Sequence, residues 1–397
     1  MSSQPSMSLA QSELEFSSNM FRSITSASKN QNVIFSPFSI FMALSMASVG
    51  AAELTLSEML KGLSVKCNTQ QFEEWKEVEM KPFMSNVMKK IVLDNTKELS
   101  LANRLFVSKR SELQERFQTF TKEAFDTQVQ LCNFEEDPQG EANNINLWVE
   151  SVTNNLVKNL IKELTVDTKV VIVNAIYFLG NWKEQFSKEL TLENQPFYQM
   201  NNVTSKANMM NKRKVKTQYG SDDLYKWVTL PYSNQEFSMT FFLPHDQTTI
   251  TEDSESNFNE WLVGKLNKGA NFPTQKEELT LLAIPKFNAE FDIELKDILK
   301  QEPFSMESAF SDRANFSQLS KTDDLKIGNV IHKAVIKVTE EGTEAAAATA
   351  IVFKNKKKCV GKKTETKDFI ANRPFSFIIT HNSTSMVLFA GKINSTQ

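Results

Sequence analysis

The sequence predicts an α+β protein built around at least one buried strand, and three observations carry that reading. The run Val170 to Gly180, VVIVNAIYFLG, is β-branched and too apolar for a surface strand, so it reads as a strand covered on both faces. Met209-Met210, Val228 to Tyr232 and Phe237 to Pro244 follow as successive strands with turn residues between them. Around these stand segments of helical period, with Phe16, Met20 and Ile24 in one and Trp75, Phe83, Val87 and Ile91 in another. A chain of 397 residues could hold two or three average domains or fold as one large unit, and its 40% hydrophobic content with 30 phenylalanines supports an extensive core. The net charge of -3 carries no global pointer to nucleic acid.

Taken in order, Ser8 to Ala27 is expected to be an amphipathic helix ending near the polar Lys29-Asn30-Gln31. Strand-formers then lead to Pro37, which keeps Ser36 extended, and a helix is expected through Phe41 to Val49. By residue type alone Ser36 and Ser39 are capping serines. Thr69 to Lys97 is helical in pattern, with Pro82 expected to interrupt it. Its Lys76, Lys81, Lys89 and Lys90 are mixed with Glu73, Glu74, Glu77 and Glu79, the pattern of a solvated face. Leu99 to Val107 reads as a strand, Gln114 to Ala124 and Asn143 to Thr153 as helices, and Leu295 to Leu299 as a further helical piece. Asn174 is the polar side chain of note in its apolar strand. A buried amide left unpaired costs about 1–3 kcal/mol, so partners for it are expected.

The chemistry of the common enzyme classes is missing. No Gly-x-Ser-x-Gly, His-Glu-x-x-His or P-loop pattern occurs, and His245, His332 and His381 fall in different expected elements, so no enzyme, cofactor or metal site is expected. Cys67, Cys132 and Cys359 are an odd number at wide spacings and encode neither a disulfide framework nor a four-ligand zinc site. The amino terminus MSSQPSMSLAQ has no basic start and no apolar run, and no stretch is long and apolar enough for a membrane span, which makes a cytoplasmic address the expectation, with leaderless secretion open.

One stretch fits no ordinary structural role. Thr339 to Lys356, TEEGTEAAAATAIVFKNK, places four alanines after a Glu-Glu-Gly break and before β-branched Thr349, Ile351 and Val352. As a strand it would put Thr343, Ala345, Ala347, Thr349 and Ile351 on one face, small enough to slide into a packed core, and Glu344, Ala346, Ala348 and Ala350 on the other. A short surface helix capped near Thr339 is the competing reading of these residues alone.

The stretch resembles the reactive-centre loop of the serpins, and the resemblance covers nearly the whole chain. It rests on Glu340-Glu341-Gly342-Thr343-Glu344 with Ala345, Ala346, Ala347 and Ala348, on Val330 to Ala334 before them, and on Phe369 to Phe375 and Leu388 to Ile393 after them. Upstream, Ser36-Pro37-Phe38-Ser39-Ile40, Asn103 to Phe106 and Ile145-Asn146-Leu147-Trp148-Val149 match family motifs. The resemblance implies a single domain over residues 1–397, with a large central sheet, two smaller sheets, about nine helices and an exposed loop at about 340–368. It implies a suicide-type inhibitor and monomer in which a protease cuts the loop, forms an acyl intermediate and is trapped when the hinge, Glu340 to Ala348, enters the central sheet. Ser36, Ser39, Asn174 and His332 would form the shutter beneath the opening, and Trp182 the breach above it. The family count places the cut between Lys356 and Lys357, which makes a trypsin-like serine protease the expected covalent partner. Lys357, Lys358, Lys362 and Lys363 form a basic extension, read either as a solvated linker or as a contact for a protease or a polyanion. The alternative function is that of a serpin-like carrier, chaperone or storage protein that has lost inhibition; a proline, charge or bulky residue on the inward hinge face would mark it, and none stands from Thr343 to Thr349.

Overall fold

The computed structural model describes residues 8–95, 98–199, 203–245, 252–270, 272–321, 325–343 and 367–396. Helix α1 (Leu9–Ala27) is capped by Ser8 and buries Phe16, Met20, Phe21 and Ile24. The short strand β1 (Val33–Phe35) leads into α2 (Pro37–Val49), every residue of which is buried. This helix starts four residues before the sequence suggests, because Pro37 takes a first-turn position that needs no N–H donor while Ser36 serves as N-cap. After α3 (Glu53–Gly62) comes α4, a continuous helical stretch in which Phe72–Trp75 and Lys81–Val87 are joined by a π-helical segment, Lys76–Met80, and followed by another, Met88–Val92. Pro82 therefore does not break the helix as expected: the wider π turn ends one residue before Lys81, and Pro82 sits in the first turn of the segment that follows.

The remaining helices are α5 (Glu115–Phe125), α6 (Pro138–Val152), α7 (Glu252–Leu266) and α8 (Lys296–Lys300), giving eight among the described residues. The strands that follow β1 are β2 (Leu99–Ser108), β3 (Gln130–Cys132), β4 (Val170–Phe178), β5 (Gly180–Asn181), β6 (Leu192–Tyr198), β7 (Thr204–Ser221), β8 (Tyr225–Pro231) and β9 (Phe237–Pro244). After them come β10 (Gln275–Pro285), β11 (Phe287–Glu294), β12 (Ile327–Val338), β13 (Gly342–Thr343), β14 (Asp368–Ile370), β15 (Phe375–His381) and β16 (Val387–Ile393).

These strands form two sheets. One runs β3-β2-β4-β12-β13-β5 with β11 on the other side of β12, and the other runs β1-β16-β15-β9-β8-β7-β10-β14 with β6 on β7. The two smaller sheets implied by the resemblance share this second ladder, because β7, 18 residues long, pairs with β6 and β10 along its length and reaches β8 with its last residues. The first sheet positions the site. The burial expected for Val170 to Gly180 is complete in β4, where every residue is buried. Its Val171, Val173, Ala175 and Tyr177 join Ala102 and Phe106 of β2 under Ala142, Ile145 and Val149 of α6, while Ile172, Ile176 and Phe178 face the large core that holds α2. That alternation turns Asn174 toward α2.

Candidate functional site

At the upper end of the first sheet the chain leaves β12, turns and comes back. Thr339 closes the turn, its N–H donating to the Gly342 carbonyl at 2.7 Å. Gly342 and Thr343 then lie antiparallel to β12, with Thr343 opposite Val338, and antiparallel to β5, with Gly342 opposite Asn181 and Thr343 opposite Gly180. The first two residues of the small-residue stretch thus already occupy a strand position. Gly342 is required there: its φ is +157°, and a Cβ would stand 2.0 Å from the Gly180 carbonyl oxygen. Thr343 is fully buried, its hydroxyl sharing a hydrogen bond of 2.8 Å with the Tyr232 hydroxyl.

Trp182 covers the turn. Its ring stacks on Tyr232 at 4.7 Å between centroids, its backbone N–H donates to the Glu341 carbonyl at 2.8 Å, and its indole N–H donates to the Thr339 carbonyl at 3.0 Å. Two ion pairs fasten the acidic residues. The Glu340 carboxylate, 3% exposed, accepts from the Thr191 hydroxyl at 2.8 Å and pairs with Lys286 at 2.9 Å, and Glu341 pairs with the exposed Lys188 at 2.5 Å. Burial pushes both carboxyls up, but the hydrogen bonds from Lys286 and Thr191 to Glu340, and from Lys188 to Glu341, leave both below the usual carboxylate range.

Below the turn, β4 and β12 pair directly and in parallel from Val170 opposite Ile327 to Tyr177 opposite Val335, which puts His332 beside Asn174. Four elements meet there in one buried network. His332 donates from Nδ1 to the Asn174 side-chain oxygen, which also accepts from the Ser39 hydroxyl at 2.8 Å. The Ser36 N–H donates to Nε2 of His332 at 3.1 Å, and the Ser36 hydroxyl caps α2 by accepting from the Ser39 N–H at 3.1 Å. Asn174 donates to the side-chain oxygen of Asn103, whose own amide donates to the Ser39 carbonyl at 3.0 Å. Because Nε2 acts as an acceptor, the ring is neutral with its proton on Nδ1, and burial pushes the His332 pKa down to about 3.

The structure thus brings together Ser36, Ser39, Asn174 and His332, with Ser36 joined to Asn174 through His332 and Ser39. Asn103 completes the network; the sequence reading placed it in a family-motif strand but gave it no role here, although it bears the same signal as Asn174, an amide inside an apolar strand. Tyr232, Lys286, Thr191 and Lys188 had no such signal, since each sits in an ordinary polar or turn context far along the chain from the residue it serves. Glu344, Ala345, Ala346, Ala347, Ala348, Lys356, Lys357 and Cys359 lie outside the described residues.

A mixed sheet with a seam held shut over a buried polar network, and a short return strand seated at its upper end, defines a class of protein. The family model for serpins, serine protease inhibitors, matches residues 11–396, and the chain belongs to that family. It is 31% identical to Serpin B4 of Homo sapiens, covering 98% of this chain and 99% of that protein, and 31% identical to the leukocyte elastase inhibitor of Bos taurus with the same shares covered. Among solved structures it is similar to Serpin48, described as a highly specific serpin of the insect Tenebrio molitor, with a TM-score of 0.83, 25% identity and 98% of each chain covered. Among the described residues no helix is long and apolar enough to cross a membrane.

Proposed function

We propose that this chain, acting as a single domain of the cytoplasm, is a suicide inhibitor that traps a trypsin-like serine protease. The observation that carries the proposal is the seam: β4 and β12 are paired in parallel, while the return strand that begins at Gly342 runs antiparallel to both sides. A strand extended from Thr343 down this seam replaces one parallel ladder with two antiparallel ones, which are slightly more stable per residue. Each added backbone hydrogen bond contributes about 0.5–1.5 kcal/mol net, so about a dozen would match an ordinary domain's stability of about 5–15 kcal/mol. The intact molecule is therefore held short of its best pairing.

In the proposed reaction the protease serine attacks the carbonyl carbon of Lys356, the bond to Lys357 breaks with the amine taking a proton from the protease histidine, and an ester joins the two proteins. The freed hinge then enters the sheet faster than water reaches the ester, and the dragged protease loses its active-site geometry. The leukocyte elastase inhibitor is a relative named for protease inhibition, and no charge or proline stands on the inward hinge face to oppose insertion. The basic extension after the cut is proposed as a solvated linker that a polyanion can reach.

Incubation with trypsin should yield a complex that survives denaturant, with a released carboxy-terminal fragment beginning at Lys357. Lys356→Glu should abolish that complex and leave the fold intact, because the acidic specificity pocket of such a protease repels an acidic residue. A fragment that begins at Cys359 or Lys363 with trapping retained would show a different bond to be the bait, and no complex with any serine protease would favour the carrier function.

A further inference from the structure

The loop has two ends, and the one beyond the proposed cut is held by little backbone. Strand β14, the first described strand on the carboxy-terminal side of Lys357, is three residues long and lies at the end of the second sheet. Among the described residues it pairs with β10 alone, in parallel, from Asp368 opposite Leu281 to Ile370 opposite Ala283. One further backbone bond closes each end of this ladder, from the Thr280 N–H to the Lys367 carbonyl and from the Ala371 N–H to the Ala283 carbonyl, both at 2.9 Å. Parallel pairing is the weaker kind per residue, and so short an edge strand frays unless something else fastens it.

A lysine of β8 supplies the fastening. Lys226 Nζ donates to the carbonyl of Asp368, the first residue of β14, at 2.8 Å, and stands 5.8 Å from the centre of the buried Phe369 ring. At the other end of the strand the buried Arg373 guanidinium donates to the Pro244 carbonyl at 3.2 Å and to the Ile370 carbonyl at 3.4 Å. Burial first, and the Arg373 charge second, pull the Lys226 pKa down to about 8, with the Asp368 carboxylate acting the other way. Lys367 and Glu277, on the neighbouring backbone, pair with each other at 3.0 Å. A side chain kept here only for packing would be apolar, because a desolvated charge lowers the stability of the fold.

We infer that Lys226 is a positioning residue for the trapping reaction: by pinning the first carbonyl of β14 it fixes the carboxy-terminal stem of the loop, and so sets how fast a protease engages the bond between Lys356 and Lys357. This role rests on the inhibitory function proposed above. A change remote from the reacting atoms that misplaces them by about 1 Å slows a reaction about a hundredfold, so a loosened stem is felt at the cut. The reach of Lys226 ends there, because cleavage separates β14 from the hinge. The share of cut chains that become trapped complex is then decided at Thr343 and the seam.

The test is Lys226→Met, which keeps the apolar length of the side chain and removes the donor. Hydrogen exchange of Asp368 to Ala371 should quicken about tenfold, and the rate constant for complex formation with trypsin should fall about tenfold, while the ratio of trapped to cut chain stays unchanged. The melting temperature should not fall, since a desolvated charge has been removed, whereas a lysine of merely structural importance would lower stability and rate together. In the unaltered chain the rate, divided by the turnover of a small peptide substrate by trypsin at the same pH, should decline between about pH 7 and pH 9 as Lys226 loses its proton. Lys226→Met and Lys226→Arg, neither of which titrates in that range, should show no such decline, and Lys226→Arg should keep the rate at pH 7. Unchanged exchange of β14 in Lys226→Met, an alkaline decline that persists in it, or an altered ratio of trapped to cut chain would overturn the assignment. An unaltered chain that forms no complex with trypsin would instead refute the proposed function, and the exchange of β14, measured without protease, still decides the pin.

Discussion

The turn above the seam and the network beneath it hold the same two strands by opposite means. The turn is fastened by charges that water reaches on one side, Lys188 to Glu341 and Lys286 to Glu340, and by one stacked pair of rings, Trp182 on Tyr232. The network is neutral, buried and closed, with Asn174 as the residue on which His332, Ser39 and Asn103 converge. Screened ion pairs are individually weak, whereas a buried polar group left without its partner costs its full desolvation. The contrast teaches that the upper end can be released piecemeal while the seam opens only as a unit, which suits the proposed mechanism, in which the sheet stays shut until a strand arrives from above.

The largest expected effect breaks the contrast altogether. A single cut in the loop should raise the melting temperature by more than about 10 °C, because the inserted strand then pairs with β4 and β12 together and neither turn nor network is needed to hold the seam. Calorimetry before and after a single nick reads this directly, and an unchanged midpoint would refute insertion.

Next in size is Thr343→Arg. The site is fully buried against Tyr232, and an unpaired charge there costs several kcal/mol. Cleavage should continue while the denaturant-stable complex disappears, turning inhibitor into substrate. Normal complex yield from this variant would place Thr343 on the outer face during insertion.

The network is tested by pH. Folded His332 titrates near 3 and the unfolded side chain near 6.5, so between those values the unfolded chain binds more protons. Its contribution is whole above pH 6.5 and is lost as pH falls toward 3, by up to about 5 kcal/mol. His332→Gln, which cannot titrate, should flatten that acid slope in urea unfolding curves while lowering stability at pH 7. Glu13 must be kept constant in the comparison, since burial pushes its carboxyl up to about 8 and its contribution is lost in the opposite direction, as pH rises from 4.5.

The smallest effects belong to the turn. Glu340→Gln should shift the melting temperature by a few degrees, because the carboxylate is buried but Lys286 is partly solvated. Lys188→Ala should shift it by no more than about 1 °C, and the shift should vanish in 1 M salt. A larger effect from Lys188 than from His332 would reverse the division of labour between the two regions.

Much of this was legible in the chain. Local patterning determined β4 as a covered strand, because apolar side chains on both faces leave no other stable placement, and it marked Asn174 as an amide in need of partners. The alternation of small residues from Thr343 likewise marked a segment able to enter a core and Gly342 a break before it, whereas the close approach of backbones at Gly342 was visible only in the structure. The tertiary structure decided what patterning cannot reach. That β4 lies beside β12, more than 150 residues away, and in parallel, follows from the packing of α2 and α6 on opposite faces of the sheet. The same packing decided that Asn103 closes the network and that Lys286 and Lys188 meet the two acidic residues. Propensity and period are properties of neighbours along the chain, whereas strand partners and ion pairs are set by which buried faces fit together, and only the assembled core selects among them.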